Sequence, residues 1–336
     1  MQKKAKGIVL YSGGLDSTLA LHIMRRVGVE VIALVIRLPF LDIDEGSRAY
    51  EVIMKNVKKL NIKIRFVNIL DDYLPLLKNP KYGFGSAVNP CIDCKILMLK
   101  IAKKVMEEEG ADFIVTGDVV DERPFSQRRR VLSIVDREAG VEGLVLRPLS
   151  GKLLPPTVPE KAGLIRREDL LDIRGRSRKR QLELARNFGI SSFLQPAGGC
   201  ILTDPAFARR FNDMRKYNPD FTLKDFLLLK LGRHFRLEND CKIVIGRNEN
   251  ENRKIIELIG GDDIIFNVVG LKGPIGVYLG VLKEDYLKKA ASIIASYSKV
   301  PRGEKAKVRY WSKNGFDELI EAEPFSREEA QKYIIK

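Results

Sequence analysis

Strand-like and helix-like segments alternate along the first 120 residues of this chain. A short apolar run at 7–11 is followed by a glycine turn and a helical pattern over 16–27, and a second apolar run occupies 31–36. The same order of strand and helix then continues. Strands that alternate with helices in this way form a parallel sheet. The pattern therefore predicts an α/β fold with a doubly wound parallel sheet, whose ligands bind at the carboxyl ends of the strands.

The chain changes character near residue 228. Short strand-like runs surround one helical pattern at 249–259, in contrast to the regular alternation before them. Such an order is typical of an α+β domain. We therefore expect a second, smaller α+β domain at 233–336, joined by a linker at 221–232 to a first domain at 1–220.

The net charge of the chain is strongly positive. Its 336 residues include 59 Lys and Arg against 44 Asp and Glu, which gives a formal net charge of +15. A surplus of this size favours a polyanionic partner, nucleic acid first. The chain has 4 cysteines, no apolar segment long enough to span a membrane and no secretory signal pattern. These features exclude secreted, disulfide-rich and membrane-spanning classes and predict a cytoplasmic protein with no membrane partner.

A glycine turn connects the first predicted strand to the first predicted helix. Free N–H groups at a helix N-terminus bind anions, and two glycines let the backbone approach a phosphate closely. No lysine follows the glycines, so the turn is not a Walker A loop. An ordinary strand-to-helix turn, capped by one of its polar residues, is the alternative that the residues leave open. The turn consists of Ser12, Gly13, Gly14, Leu15, Asp16 and Ser17.

This six-residue string resembles the S-G-G-x-D-S signature of the PP-loop ATP pyrophosphatases. That family includes GMP synthetase, NAD synthetase, argininosuccinate synthetase and the tRNA thiolases ThiI, MnmA, TtcA and TtuA. The resemblance implies that ATP is cleaved to AMP and pyrophosphate in the presence of Mg²⁺, with an adenylated acceptor as intermediate. Neither histidine is well placed for acid–base work, so Asp16 is also a candidate catalytic residue. The implied ATP-binding residues are Ser12, Gly13, Gly14, Asp16, Ser17, Thr116 and Gly117.

Cys91 and Cys94 form a C-x-x-C motif where a loop enters a predicted helix, and Cys200 follows much later in the chain. The helix N-terminus and Lys95 are expected to lower the pKa of the thiols. Three thiolates leave one coordination position open, as in a zinc site with a bound water or a 4Fe-4S cluster with one free iron. A persulfide pair without metal is the third possibility. Cys241 begins a strand-like run and is expected to be an ordinary core thiol.

The C-x-x-C motif with a later single cysteine resembles the cluster-dependent tRNA thiolases. The resemblance implies that Cys91, Cys94 and Cys200 are catalytic residues and the ligands of a 4Fe-4S cluster. Cys94 and Cys200 also resemble the cysteine pair of MnmA and ThiI, so a persulfide mechanism stays open.

The stretch after the strand that ends at Thr116 resembles the thiolase sequence T-G-x-x-x-x-x-R-P-x-S-Q. It departs from that pattern at Asp121 and Glu122, where Gly and Gln are expected. Basic residues that follow would contact RNA phosphates, although such runs are often only solvated surface. The candidate substrate and RNA contacts here are Arg123, Ser126, Gln127, Arg128, Arg129, Arg130, Arg176, Arg178, Lys179 and Arg180.

In the second domain, the G-R-N-x-x-x-N sequence at 246–252 resembles the RNA-binding domain of NFACT ribosome-quality-control proteins. The resemblance implies that Arg247 and Asn248 contact RNA. The alternative is a turn in which Asn248 caps a helix.

Together these resemblances imply an ATP-dependent tRNA uridine thiolase. Its partners would be tRNA and a sulfur donor, either sulfide or a persulfide carrier, and its lead product would be 4-thiouridine at tRNA position 8. A persulfide-based 2-thiouridine synthase is one alternative. An amide-forming PP-loop ligase and a non-catalytic, ribosome-associated RNA-binding protein are the others.

Overall fold

The computed structural model describes residues 4–194, 200–301 and 303–335. The chain divides into two compact units, Met1–Cys200 and Ile201–Lys336. This division falls before the linker expected at 221–232. The helix Pro205–Tyr217 ahead of that linker and the helix Leu223–Leu228 within it both belong to the second unit, where Phe207, Phe211 and Phe226 pack against one another.

The first unit contains a five-stranded sheet in which all strands run parallel, as the alternating pattern predicts. The strand order is β3-β2-β1-β4-β5, so the order reverses between β1 and β4, where ligands of such sheets bind. The strands are β1 (Lys6–Leu10), β2 (Glu30–Arg37), β3 (Lys63–Asn68), β4 (Phe113–Val115) and β5 (Val145–Leu146). The helices are α1 (Leu15–Arg26), α2 (Arg48–Lys59), α3 (Leu70–Lys78), α4 (Cys91–Glu108), α5 (Arg129–Glu138), α6 (Val158–Lys161) and α7 (Lys179–Asn187).

The central strand β1 shows why this sheet is stable. Val9 is paired with Ala33 of β2 and with Val115 of β4. Ile8 and Val9 are both fully buried, although neighbouring residues of a strand point to opposite faces. The sheet is therefore covered on both faces, which accounts for the nearly continuous apolar runs in its sequence.

The second unit contains a six-stranded antiparallel sheet with strand order β11-β10-β8-β9-β7-β6. Its strands are β6 (Arg233–Glu238), β7 (Cys241–Ile245), β8 (Ile264–Val268), β9 (Gly276–Gly280), β10 (Ala306–Trp311) and β11 (Asp317–Ala322). Its helices are α8 (Pro205–Tyr217), α9 (Leu223–Leu228), α10 (Glu249–Leu258), α11 (Glu284–Ser296) and α12 (Arg327–Gln331). The α+β class expected for this part of the chain is confirmed.

Cys241 lies at the start of β7 and is fully buried in the core of the second unit, as its strand position predicts. Of the helices in the described part of the chain, none has the length and apolar character needed to cross a membrane.

Candidate active site

The glycine turn follows β1 directly and opens α1. Gly14 is the N-cap residue of α1, and no side chain caps this helix, so the alternative of a capped turn does not apply. The Ser17 hydroxyl donates to the Gly14 carbonyl at 3.0 Å and lies 3.2 Å from the Ser12 hydroxyl. On the other side of the turn, the Leu194 N–H donates to the Gly13 carbonyl at 2.7 Å. An uncapped helix N-terminus flanked by two hydroxyls is suited to a phosphate group.

Gly117, just after β4, packs against the backbone of this same turn. A Cβ atom at Gly117 would lie 2.6 Å from the carbonyl carbon of Asp16 and 2.6 Å from the nitrogen of Ser17. Only glycine allows this approach. The contact brings the end of β4 beside the glycine turn, at the point where the strand order reverses.

Asp118 is the centre of a buried ionic network. Its carboxylate pairs with the Lys95 ammonium and accepts hydrogen bonds from Gln127 Nε2 and Thr116 Oγ1, both at 3.0 Å. Arg147 Nε lies 3.6 Å from the same carboxylate. Although burial works against the charged form, Lys95 and Arg147 lower the pKa of Asp118. Asp118 therefore stays ionised and ties α4 to the end of β4.

Asp16 has the opposite electrostatic environment. Burial raises its pKa to about 6, and the nearby carboxylates of Glu122 and Asp118 add to this effect, while Arg178 and Arg123 oppose it. The Asp16 Oδ1 atom is buried and has no hydrogen-bond partner among the described residues. An unsatisfied carboxylate oxygen near other carboxylates is suited to Mg²⁺, which usually takes one or two protein carboxylates together with substrate phosphates.

The C-x-x-C motif forms the first turn of α4, as predicted. The expected lowering of the thiol pKa is wrong for Cys94. Burial raises the pKa of Cys94 to about 12, and the charges of Cys91 and Cys200 add to the shift. Lys95 opposes the shift only weakly because its ammonium is bound to Asp118.

Tyr73 is a site residue that the sequence did not reveal. It lies on α3 with 1% of its side chain exposed, and burial together with the charges of Cys94, Cys200 and Cys91 raises its pKa. All three predicted cysteines thus act electrostatically on one buried hydroxyl. Within the described residues, however, no group of three or more His, Cys, Asp or Glu side chains could hold a metal ion. Gly198 and Gly199, which precede Cys200, lie outside the described residues.

The segment 121–127 forms a closed loop in which the Asp121 N–H donates to the Gln127 carbonyl at 3.0 Å. Asp121 adopts a left-handed backbone with φ of 62°, and its carboxylate pairs with Arg174 at 2.7 Å. Glu122 is buried and pairs with Arg178 at 3.1 Å. The two departures from the thiolase pattern are therefore matched by two arginines of this chain.

Two parts of the chain match known protein families. Residues 2–152 match the family described as "Thiamine biosynthesis protein (ThiI)", and residues 232–334 match the family described as "NFACT protein RNA binding domain". The first match lies within the unit Met1–Cys200 and the second within the unit Ile201–Lys336, and we call these parts the ThiI-type unit and the NFACT-type domain after what they resemble. The ThiI-type match contains the glycine turn, both cysteines of α4 and the closed loop at 121–127, but not Cys200.

Curated relatives match over part of their length. The tRNA-specific 2-thiouridylase MnmA of Chlorobium luteolum is 28% identical over 202 residues, which cover 57% of this chain and 50% of that protein. A protein named "Probable tRNA sulfurtransferase" from Methanothermobacter thermautotrophicus is 28% identical over 149 residues, 44% of this chain and 37% of that protein. This chain thus spans half or less of the length of these relatives. Among solved structures, the U34-tRNA thiolase NcsA from Methanococcus maripaludis with its 4Fe-4S cluster aligns at 17% identity and a TM-score of 0.35, over 68% of this chain and 72% of that one.

The basic residues predicted to contact RNA separate into paired and unpaired groups in the ThiI-type unit. Arg178 pairs with Glu122, and Arg180 pairs with Asp172 at 2.6 Å. By contrast, six predicted basic contacts form no ion pair with any residue that the structure describes: Arg123, Arg128, Arg129, Arg130, Arg176 and Lys179. Arg129 and Arg130 line a cavity of about 460 Å³ beside β5, and none of its lining residues belongs to the glycine turn.

In the NFACT-type domain, Asn248 is the N-cap of α10 and accepts from the Glu251 N–H at 3.0 Å. Arg247 forms a close ion pair with Glu251 one turn later. The helix-cap alternative is therefore correct for the structural role of Asn248, while contact of either residue with RNA stays a prediction.

Proposed function

We propose that this chain is an ATP-dependent tRNA uridine thiolase. The observation that carries the proposal is the ion pair between Lys95 and Asp118. Lys95 directly follows Cys94 in α4, and Asp118 directly follows Gly117, which packs on the glycine turn. This pair joins a phosphate-binding turn and a set of cysteines within one unit, which is the combination that sulfur transfer to an activated carbonyl requires.

The reaction follows from the chemistry of the two parts. The carbonyl oxygen of a uracil attacks the α-phosphorus of ATP, and pyrophosphate leaves. Sulfide then attacks the uracil carbon that carries the adenylated oxygen, and AMP leaves with that oxygen. The net change converts ATP, sulfide and uridine to AMP, pyrophosphate and thiouridine. Activation is needed because a carbonyl oxygen is otherwise a poor leaving group.

The residues of the glycine turn have separate tasks in the adenylation step. Ser12, Ser17 and the free N–H groups at the start of α1 would hold the departing pyrophosphate. Asp16, whose Oδ1 atom lacks a partner among the described residues, would bind Mg²⁺ together with the phosphates. The target base must leave its stack to reach this turn.

The thiols provide the sulfur site. Cys91, Cys94 and Cys200 are soft ligands of the kind that a 4Fe-4S cluster takes, and all three interact electrostatically with Tyr73. The three thiols would have to draw together to bind the cluster, because no group of three such side chains among the described residues could hold a metal ion as it stands. When bound by three cysteines, such a cluster supplies one iron that can hold sulfide. A persulfide pair of Cys94 and Cys200 is a second candidate, supported by the electrostatic interaction between these two thiols. The proposed product is 4-thiouridine at tRNA position 8.

Basic residues outside the glycine turn and the thiol site would bind the tRNA. Arg128, Arg129 and Arg130, which form no ion pair within the described chain, would contact tRNA phosphates. The NFACT-type domain would dock the tRNA through Arg247 and its surroundings. Cytoplasmic location and the absence of a membrane partner fit a tRNA substrate.

The test is thiolation of tRNA by the purified chain, measured by mass spectrometry of nucleosides and by AMP release. We expect both signals to require tRNA and ATP, and we expect Cys200→Ala to abolish thiouridine. Cys241→Ala serves as the matched control because its thiol is buried in the core of the other unit.

Two results would separate the alternatives. Loss of thiouridine in Cys94→Ala and Cys200→Ala, with full activity of Cys91→Ala and no visible absorbance after anaerobic purification, would favour the persulfide pair. Tight tRNA binding without any tRNA-dependent AMP release would instead indicate a non-catalytic RNA-binding protein.

A further inference from the structure

The loop at 121–127 is fixed at its base and exposed at its tip. At the base, Gln127 is bound to Asp118 and Glu122 to Arg178. At the tip, Arg123, Pro124 and Phe125 are all exposed, and 36% of the Phe125 side chain is accessible. A loop fixed at its base therefore presents an aromatic ring to solvent. Single exposed apolar side chains are common, so the groups that surround this ring decide whether it suits a ligand.

The Phe125 ring lies against the loop that leads to the cysteines. A Cβ atom at Gly85 would lie 2.6 Å from Phe125 Cδ1 and 2.7 Å from Asn89 Oδ1, so the ring and the amide flank the same glycine. The Gly85 N–H donates to the Asn89 carbonyl at 2.8 Å, and Asn89 is followed after one residue by α4 with Cys91. Asn89 is 7% exposed, and its Oδ1 atom has no hydrogen-bond partner among the described residues. One edge of the ring is thus packed beside an unsatisfied acceptor.

The charges around Phe125 indicate what kind of ligand would cover it. Arg123 is close enough to Asp16 to lower the pKa of that carboxyl, and Arg128 follows at the start of α5. Both guanidinium groups are exposed and form no ion pair with another described residue. An aromatic ring between two free arginines is complementary to a nucleotide, because the ring stacks on the base and the arginines bind phosphate.

We propose that Phe125 is the platform on which the flipped substrate base stacks while it is adenylated and thiolated. The proposal rests on the proposed thiolase function and adds the residue that positions the base. Phe125 is beside Gly85 and Asn89, which precede Cys91, and it follows Arg123, which acts electrostatically on Asp16. A base stacked there would be held between the ATP site and the thiols.

Phe125→Ala tests this role, with Phe125→Trp as the conservative variant and Leu164→Ala as the control. Leu164 is another exposed apolar side chain of the same unit, 38% accessible and outside the site. We expect Phe125→Ala to raise KM for tRNA or lower kcat by roughly tenfold or more, the effect of removing one base–aromatic stack. KM for ATP and the Tm should stay unchanged. Phe125→Trp should restore activity, and Leu164→Ala should behave like the unsubstituted protein.

A second measurement detects stacking directly and does not depend on turnover. The chain has 1 tryptophan, Trp311, so Phe125→Trp in a Trp311→Phe background places the only indole at the tip of the loop. Saturating tRNA should quench this fluorescence, whereas the Trp311→Phe protein alone supplies the background.

The outcomes separate the two proposals. Unquenched fluorescence of the indole at position 125 with tRNA bound, together with normal kinetics of Phe125→Ala, would overturn the stacking role while thiolation stands. Quenching by tRNA in a protein that never forms thiouridine would support the platform and contradict the thiolase function.

Discussion

Burial disfavours the charged form of the Asp16 carboxyl, so the effect of Asp16 on the free energy of unfolding should depend on pH. Its pKa is raised to about 6, mainly by burial. A raised carboxyl pKa destabilises the fold above pH 6, and the penalty disappears as the pH falls below the value in the unfolded chain. We therefore expect Asp16→Asn to increase the free energy of unfolding by up to roughly 3 kcal/mol at pH 8, since each unit of pKa corresponds to about 1.4 kcal/mol.

Urea denaturation at pH 8, 6 and 4 measures this effect, and the gain should shrink toward zero at pH 4. Asp172→Asn is the control of opposite sign, because the hydrogen bond from Arg180 lowers the pKa of the exposed Asp172. An equal gain from Asp16→Asn at pH 8 and pH 4 would contradict the electrostatic origin.

The individual site residues also show which features of the site the sequence patterns could not predict. The six-residue turn and the C-x-x-C motif each occupy consecutive positions, so their local structure was predictable. Tyr73 approaches the cysteines from another helix, and nothing in its own neighbourhood distinguishes it from a core tyrosine. The partner of Lys95 was equally hidden, because an ion pair across 23 residues leaves no spacing signal. The expectation for the pKa of Cys94 was wrong mainly because the burial of its thiol, which raises the pKa, is also not visible in the sequence.

At the scale of elements, the contact between the end of β4 and the first turn of α1 determines the geometry of the site. Gly117→Ala would place a methyl group 2.6 Å from backbone atoms that cannot move independently. We expect stability to fall by about 1–3 kcal/mol, the usual cost of overpacking, and ATP to bind more weakly. Thermal unfolding with and without ATP measures both effects.

Gly260→Ala is the matched control for this substitution. A Cβ atom there would have its nearest neighbour at 3.7 Å, an ordinary contact, and the backbone is not left-handed. An equally large decrease in stability in both variants would show that the close approach at Gly117 is not the cause.

The elements themselves were largely predictable because periodicity is a local property. Alternating apolar runs located β1, β2 and α1 and therefore the glycine turn between strand and helix, whereas the strand order was not predicted. The loop at 121–127 was not predictable in the same way. Its conformation depends on Arg174 and Arg178, which lie 53 and 56 residues after their partners Asp121 and Glu122.

At the scale of the whole molecule, many of the basic residues are already paired with carboxylates. Arginines of the stretch 161–180 pair with carboxylates of the same unit, whereas Arg128, Arg129 and Arg130 do not pair within the described chain. Cations that are already paired contribute less to counterion release when they meet phosphates. The unpaired arginines are therefore better candidates for RNA contact than the paired ones.

Replacing Arg128, Arg129 and Arg130 together by alanine should reduce the salt dependence of tRNA binding. We expect the slope of log K against log salt to fall by about one for each arginine that no longer neutralises a phosphate, up to about three. Filter binding at several salt concentrations measures the slope. Arg166→Ala, which removes an exposed but paired arginine, is the control and should leave the slope unchanged. Equal slopes for the triple variant and the unsubstituted protein would remove these arginines from the RNA surface.

The hydrogen bond from the Leu194 N–H to the Gly13 carbonyl limits the distance between Cys200 and the glycine turn. Cys200 follows Leu194 by six residues, and a chain of that length spans at most about 22 Å, whatever path residues 195–199 take. The Cys200 thiol is therefore attached by a short segment, and its effective concentration near the glycine turn is on the order of millimolar. A free thiol in solution would have to be supplied at that concentration to compete. If the proposed function is correct, the chain would hold its own third sulfur near the place where ATP is cleaved.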